Sequence, residues 1–388
     1  MSNEKEIDMM ECNAQTKTDK QDFRKSNIEL LRIVAMVMIV AHHYAYHGGF
    51  AFPKNELSIN RFWIQLILSG GTIGVDVFVL ISGFFLVSSE HIRINKIIRT
   101  WAQLLFYSFI LFFCFVFAGI EPFGLKKLLI SLAPVTYNTW WFASSYFVLY
   151  LLSPYINILL KSFNKKQYIF FLASLFFYWC IIPTITYRPF QSNFLLWFVF
   201  LYSLAGYVKI FGVNISLSGG KLIALSFVCI LCSALLSAYF DLLGTKSHFF
   251  EHWAMHLYDM QCLPILIISF LLFIGFSKMN IGYNKLINIV ASATFGVYLI
   301  HEHPFVRPFL WKRILKGASY SESYLLIPYS LLAVFLVFAC CTIIELLRKE
   351  MIEKQYMNAV NNIANLIPRL LTKTINGRIR KSGPSDVK

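Results

Sequence analysis

The feature that most constrains this chain is a succession of long apolar segments separated by short polar loops. Most of them hold about 18 residues or more, the length that an α-helix needs to cross the hydrocarbon core of a bilayer. We therefore predict an all-α fold, a polytopic membrane bundle of about ten transmembrane helices. The predicted spans are residues 28–47, 62–87, 101–120, 141–160, 168–183, 193–211, 222–240, 258–277, 286–303 and 324–347.

The composition favours a membrane protein over a soluble domain. Hydrophobic residues make up 57% of the 388 residues and charged residues only 14%, where soluble domains have roughly half and a quarter. The formal net charge of +15 invites a nucleic-acid interpretation, but the basic residues are spread over short loops and tails. In membrane proteins such an excess reflects topology and contact with anionic lipid. We expect membrane lipid, and no nucleic acid, as a partner.

The chain divides into three predicted parts. Residues 1–26 form a disordered polar head, residues 27–347 form the membrane domain, and residues 348–388 form a basic tail that is partly amphipathic and suited to a membrane surface. The lysines and arginines of the head and of the region just after the last span predict that both termini are cytoplasmic. The stretch 125–140 is too short to cross, and we place it at the outer surface.

The first span carries ionisable side chains that membrane helices usually avoid. Arg32 and His43 are eleven residues apart, so on an α-helix they share one face and are separated by about 16 Å along the axis. His47 shares this face, His42 points about 100° away, and Glu29 stands where it can pair with Arg32. Such groups usually mark a functional site. The alternative is a snorkelling arginine and a histidine that only packs.

Asp76 is the acidic residue of the second span. It stands among glycines in the stretch "SGGTIGVDVFVLISGFFL", and small residues of this kind allow two helices to approach closely. A carboxylate in the membrane needs a partner, and the histidine face of the first span offers one. We therefore predict that Asp76 orients His43, with a purely structural tie between two helices as the alternative.

Three basic residues follow the second span at three-residue spacing. Arg93, Lys96 and Arg99 share a broad face if this stretch is helical, and the predicted topology places them on the same side as Arg32. They suit the binding of an anionic, phosphate-bearing ligand. The alternative is an ordinary cluster of positive charge on the cytoplasmic side of the membrane.

The predicted ninth span ends in "YLIHEHP", on the side toward which His43 points. Anchoring at the membrane interface explains Tyr298 at its start. Interface anchoring explains the acidic Glu302 less well, so we add Glu302 to His43 and Asp76 as a candidate catalytic residue.

Taken together, these segments resemble the acyltransferase-3 family of bacterial membrane O-acyltransferases. The family's arginine, ten residues and histidine correspond to "LLRIVAMVMIVAHH", and its second signature to "GVDVFVLISGFFL". The basic stretch after it matches "RINKIIRTW", and "TWWFASSYFVLYLLSPYIN" and "SATFGVYLIHEHP" are similar to the middle and late signatures.

The resemblance implies transfer of an acyl group, most often acetyl, from acetyl-CoA to a sugar hydroxyl of a lipid-linked or surface polysaccharide. Arg32, Arg93, Lys96 and Arg99 would then hold the phosphates of acetyl-CoA, and His43 would be the general base. Other proteins of polysaccharide assembly are expected partners, and the bacterial cytoplasmic membrane is the expected location.

No metal is expected, because six of the eight cysteines lie inside apolar runs, where a cysteine acts as a small apolar residue of a packed helix. The alternative function is a transporter or flippase for polysaccharides or lipid-linked oligosaccharides, which would also combine many spans with buried charges. Such a transporter would not need acetyl-CoA.

Overall fold

A computed structural model describes residues 26–52, 58–89, 94–188, 190–359 and 361–362. Among these residues every regular element is a helix, which confirms the predicted all-α bundle. The main helices are α1 (Ser26–His47), α2 (Ile59–Leu86), α3 (Ile94–Phe117), α4 (Leu125–Leu132), α5 (Trp141–Ser162), α6 (Lys165–Phe176), α7 (Phe194–Phe211), α8 (Gly219–Gly244), α9 (His248–His256), α10 (Leu263–Ser277), α11 (Lys285–His301) and α12 (Leu326–Arg348), and short helical turns lie between α11 and α12.

Two helices continue beyond these bounds through wider turns. Helix α6 passes through a π-helical turn, Phe177–Ile181, into a last α-helical turn, Ile182–Thr186. Helix α12 passes through a π-helical turn, Lys349–Glu353, and its helical segment ends at Ala359. The predicted fifth span, which is short in the sequence, is therefore a longer helix in the structure.

Eight of the described helical segments are long and apolar enough to cross a membrane, and α10 and α11 are apolar but shorter. These two helices account for the predicted eighth and ninth spans. Helix α10 starts five residues later than predicted, at Leu263, because Pro264 suits only the first turn of a helix. Helix α4 has eight residues, about 12 Å, which agrees with a stretch too short to cross. The orientation of the termini stays a prediction.

Helix α1 lies at the centre of the bundle, in contact with α2, α10, α11 and α12. Glycines make its contact with α2 close. A Cβ atom on Gly71 would lie 2.3 Å from the His42 ring, and one on Gly74 would lie 2.7 Å from the Ala35 carbonyl oxygen. No larger residue fits at either position unless the His42 ring or the α1 backbone moves, as expected of a small-residue contact between membrane helices.

The start of α1 is fixed against the neighbouring helices by side-chain hydrogen bonds. Asn27 donates to the carbonyl oxygen of Phe276 at 2.8 Å, so α1 begins where α10 ends. Ser26 accepts from the backbone N–H of Asn284 at 2.8 Å and from the Asn288 amide at 2.9 Å, so α1 and α11 begin together. Asn284 also caps α11 by accepting from the backbone N–H of Ile287. Helices α1 and α11 therefore run parallel from a shared level.

Candidate active site

The shared start of α1 and α11 determines which side chains meet at their far ends. His43 stands 17 residues after Ser26, and His301 stands 17 residues after Asn284. Two parallel helices that begin together rise equally, so these two histidines reach the same height. Their rings pack with centroids 5.1 Å apart, and both side chains are buried.

The hydrogen bonds of the two histidines assign their tautomers. His301 Nδ1 lies 2.6 Å from the carbonyl oxygen of Val297, one turn earlier. A carbonyl only accepts, so Nδ1 of His301 carries a proton, and the neutral imidazole keeps a lone pair at Nε2. His43 Nδ1 lies 2.9 Å from that Nε2 and therefore donates to it. The lone pair of His43 is left at Nε2, the atom that can accept a proton.

Glu302, the third candidate catalytic residue of the sequence analysis, lies against the histidine face of α1. Its Oε2 atom lies 3.4 Å from His43 Nδ1 and 3.2 Å from His47 Nε2, and its Oε1 atom accepts from Arg307 at 3.0 Å. The carboxylate is buried and its charge is balanced by the arginine. It stands close enough to stabilise a positive charge on His43. Sequence reasoning did not connect Arg307 with this group.

Part of this cluster has the side chains that a metal ion needs as ligands. Ligand atoms of His43, His47 and Glu302 all lie within 4.8 Å of one another, and imidazole with carboxylate is a known ligand set for Zn²⁺. The Arg307 cation on the same carboxylate opposes a second positive charge there.

The structure does not bring Asp76 to His43, which corrects the predicted orienting pair. Asp76 Oδ1 accepts a hydrogen bond from Trp197 Nε1 at 2.9 Å and its side chain is fully buried between α2 and α7. The reason is the antiparallel register of α1 and α2: Gly71 faces His42, whereas Gly74 already faces Ala35. Asp76 is therefore nearer the start of α1 than His43 is. His301 and Glu302 take the places next to His43 that the sequence assigned to Asp76.

His42 lies outside the cluster, in agreement with its predicted direction on the helix. Its Nδ1 atom hydrogen-bonds with the carbonyl oxygen of Leu68 at 2.5 Å, and its ring fills the space that Gly71 leaves in α2. The ring of Tyr46 stacks on it at 5.6 Å. These contacts give His42 a packing role between α1 and α2.

A second candidate site lies toward the start of α1, in a cavity of about 770 Å³. Helices α1, α2, α3, α5, α11 and the extension of α12 all contribute to its wall. Three of the predicted phosphate-binding residues line it together, namely Arg32, Lys96 and Arg99. Arg93, the fourth, lies outside the described residues. We call this space the inner cavity.

The cations of the inner cavity are held by different partners. Arg32 donates to Glu29 at 3.3 Å, the predicted pair one turn apart, and the Lys96 ammonium group lies over the Tyr150 ring at 4.9 Å. Arg99 donates to Glu353 at 2.5 Å. Glu29 belongs to α1, whereas Glu353 belongs to the extension of α12.

Behind Arg99 lies a buried charge network that sequence reasoning missed. Arg348 donates to Glu345 at 2.8 Å and to Glu353 at 2.6 Å, and Glu345 also accepts from Tyr107. All three charged side chains are buried. The sequence does show two acids on either side of the arginine at the end of the last span. An argument from topology alone treats such residues as ordinary charge at the membrane interface.

Two aromatic rings lie between the inner cavity and the histidines. Phe142 lines the cavity and meets the ring of Tyr298 at 5.5 Å. Tyr298 in turn lies 6.5 Å from the ring of His43. A ligand that entered from the cavity would pass these rings before it reached His43.

Comparison with known protein families identifies the whole membrane domain. The family model Acyl_transf_3, described as an acyltransferase domain, matches residues 25–346. No curated protein and no solved structure gave a significant match.

Proposed function

Because the chain belongs to the Acyl_transf_3 family of membrane acyltransferases, we propose that it transfers an acetyl group from acetyl-CoA to a sugar hydroxyl of a lipid-linked or surface polysaccharide. The observation that carries this proposal is the pair of sites on α1. A cavity with three basic residues surrounds Arg32, and a buried imidazole with a defined lone pair stands at His43. Acyl transfer from a phosphate-bearing thioester needs both.

The inner cavity suits the donor. Acetyl-CoA carries phosphates at one end of a long flexible arm and the thioester at the other. Arg32, Lys96 and Arg99 would bind the phosphates, and Arg99 would exchange its bond to Glu353 for one to phosphate. The arm would then extend along α1 for the roughly 16 Å that separate Arg32 from His43, past Phe142 and Tyr298.

His43 would act as the general base. Its Nε2 lone pair takes the proton of the acceptor hydroxyl as that oxygen attacks the thioester carbonyl carbon. The carbon–sulfur bond then breaks, CoA leaves as the thiolate, and the proton on His43 passes to the sulfur. An ester has formed, free CoA is released, and His43 is again neutral. General base catalysis of this kind is worth about 10² to 10⁴ in rate.

His301 and Glu302 would support the base in different ways. His301 holds the proton of His43 on Nδ1 and so leaves Nε2 free, because its own Nδ1 is bonded to Val297. Glu302 lies 3.4 Å from the same Nδ1 and would stabilise the imidazolium that forms during the reaction. Asp76 then serves as the tie between α2 and α7, the alternative that the sequence allowed.

The proposal is tested in the bacterium that encodes the protein. O-acetyl groups on the surface polysaccharide are quantified by NMR in the parent strain, in a deletion strain, and in the deletion strain that carries the wild-type or the His43→Ala gene. We expect loss on deletion, recovery with the wild type and no recovery with His43→Ala. Unchanged O-acetylation in the deletion strain would contradict the polysaccharide as acceptor.

A second measurement addresses the donor. Purified protein in nanodiscs is titrated with acetyl-CoA and with dephospho-CoA, which lacks the 3′-phosphate. Saturable binding of acetyl-CoA, weaker for the analogue, supports the phosphate site. A transporter, the alternative function, predicts no binding of either compound.

A further inference from the structure

We propose that a pocket beside the histidine cluster binds an acidic sugar of the acceptor, recognised through its carboxylate or phosphate group. This outer pocket has a volume of about 290 Å³, and Tyr46, His47, Gly49, Arg307 and Lys312 contribute to its lining. The inference rests on the proposed function, because it assigns the acceptor to this end of α1.

The outer pocket shares two residues with the candidate active site. His47 and Arg307 line the pocket, and both contact the Glu302 carboxylate, at 3.2 and 3.0 Å. Glu302 also lies 3.4 Å from His43. A sugar in this pocket is therefore one side chain away from the base, on the side of the cluster opposite Tyr298 and the inner cavity. This is where an acceptor has to lie if the donor arrives from the other end.

The charge of the outer pocket favours an anion. Among the described residues of its lining the charged side chains are Arg307 and Lys312, both basic. Glu302 directs one oxygen at Arg307 and the other at the two imidazoles, so it neutralises one cation. Within the part of the chain that the structure describes, no carboxylate forms an ion pair with Lys312. The Lys312 side chain is exposed, and the Arg307 side chain keeps 33% of its surface accessible. Both can therefore reach a ligand.

The shape of the outer pocket suits one sugar unit. Its volume is at the lower limit of small-molecule sites, about 300 Å³. Tyr46 lies at the edge of the pocket and is 68% exposed. An exposed aromatic face packs well on the C–H face of a sugar ring. At Gly49 the backbone has φ +76°, and a Cβ there would lie 3.8 Å from Lys312. This residue type lets the chain turn out of α1 beneath the lysine.

The test uses the full-length protein in nanodiscs and three probes: methyl β-D-glucoside, methyl β-D-glucuronoside and methyl β-D-glucoside 6-phosphate. Binding is measured by saturation-transfer NMR titration. We expect at least one acidic glycoside to bind about tenfold or more tighter than the neutral one, the effect of one charge-assisted contact. A preference for the carboxylate or for the phosphate identifies which anionic group the acceptor carries.

Matched variants locate the effect. Lys312→Gln should remove most of the preference for the acidic glycoside, whereas Arg313→Gln, an exposed neighbour outside the lining, should keep it. Equal binding of neutral and acidic glycosides, no binding of any, or an unchanged preference in Lys312→Gln overturns the inference. Acetyl-CoA binding is measured in the same samples. If acetyl-CoA binds while the acidic preference is absent, only this inference fails, and if acetyl-CoA does not bind, the proposed function fails as well.

Discussion

The inner cavity and the histidine cluster lie on the same helix but are built in opposite ways. The cavity is wide, about 770 Å³, and its cations are long side chains held by single acids or by an aromatic ring. In the cluster, short side chains are buried, and His43 is fixed by a bonded neighbour at 2.9 Å. Binding of phosphates tolerates side chains that move, whereas proton transfer requires atoms placed to within a few tenths of an ångström.

The sharpest test of this contrast is the pair of neighbouring histidines on α1. We expect His43→Ala to lower the acetyl-transfer rate by about 10² to 10⁴, because the substitution removes the Nε2 lone pair that would accept the proton. His42→Ala should keep most of the activity, since His42 contacts Leu68 and Gly71. Both rates are measured with radiolabelled acetyl-CoA at equal protein. An essential His42 with a dispensable His43 would refute the assignment.

The next effect should come from the partner of the base. His301→Leu removes the acceptor that holds the His43 proton on Nδ1, and we expect a loss of about 10² in kcat, below the value of about 10⁴ for an orienting carboxylate in serine proteases. His301→Gln keeps an acceptor and should recover part of that loss. The KM for acetyl-CoA should not change in either variant. Equal kcat for the leucine and glutamine variants would mean that His301 only fills space.

A smaller effect is expected in the inner cavity, because several cations would share the binding of the donor. Arg32→Ala should raise the KM for acetyl-CoA about tenfold, the value of one charge-assisted bond, with little change in kcat. Arg32→Lys should restore only part of the affinity, since an ammonium group cannot form the paired contacts of a guanidinium. A KM equal to that of the wild type in both variants would show that Arg32 merely reaches the lipid headgroups.

The smallest catalytic effect is expected for Asp76. Asp76→Asn keeps an acceptor for the Trp197 N–H, and the structural tie predicts a change in stability of about 1 to 3 kcal/mol with kcat nearly intact. Thermal unfolding and membrane abundance are compared with activity in the same preparations. A large loss of kcat in protein of normal stability would restore the catalytic role that the sequence suggested.

The sequence was sufficient on α1, where a single helix contains both partners. The common face of Arg32, His43 and His47 follows from residue spacing alone, and so does the pair of Glu29 with Arg32. It failed for Asp76 because the partner of a buried carboxylate depends on the register between two helices. That register is set here by small residues such as Gly71, which a single sequence does not align with any position on α1.

The contact between His43 and His301 also depends on how two helices are aligned. Both histidines stand 17 residues beyond the level where α1 and α11 begin. Their equal height therefore follows from the sequence once this common starting level is known. The hydrogen bonds from Asn284 and Asn288 to Ser26 fix that level. The charges of Glu345, Arg348 and Glu353 were equally visible, but their enclosure behind the cavity depends on how α3 and α12 pack.

The two sites lie at opposite ends of α1, and this placement affects where in the cell the donor and the acceptor can be. A soluble acetyltransferase needs its donor and its acceptor in one compartment. Under the proposed function, the bulky, charged part of the donor would stay at the entrance near Arg32, and its flexible arm would carry the acetyl group past the aromatic rings to His43. The proposed reaction would then be directional in space: the acetyl group would move toward the His43 end of α1, while CoA, too polar to cross a membrane, would stay on the side of Arg32.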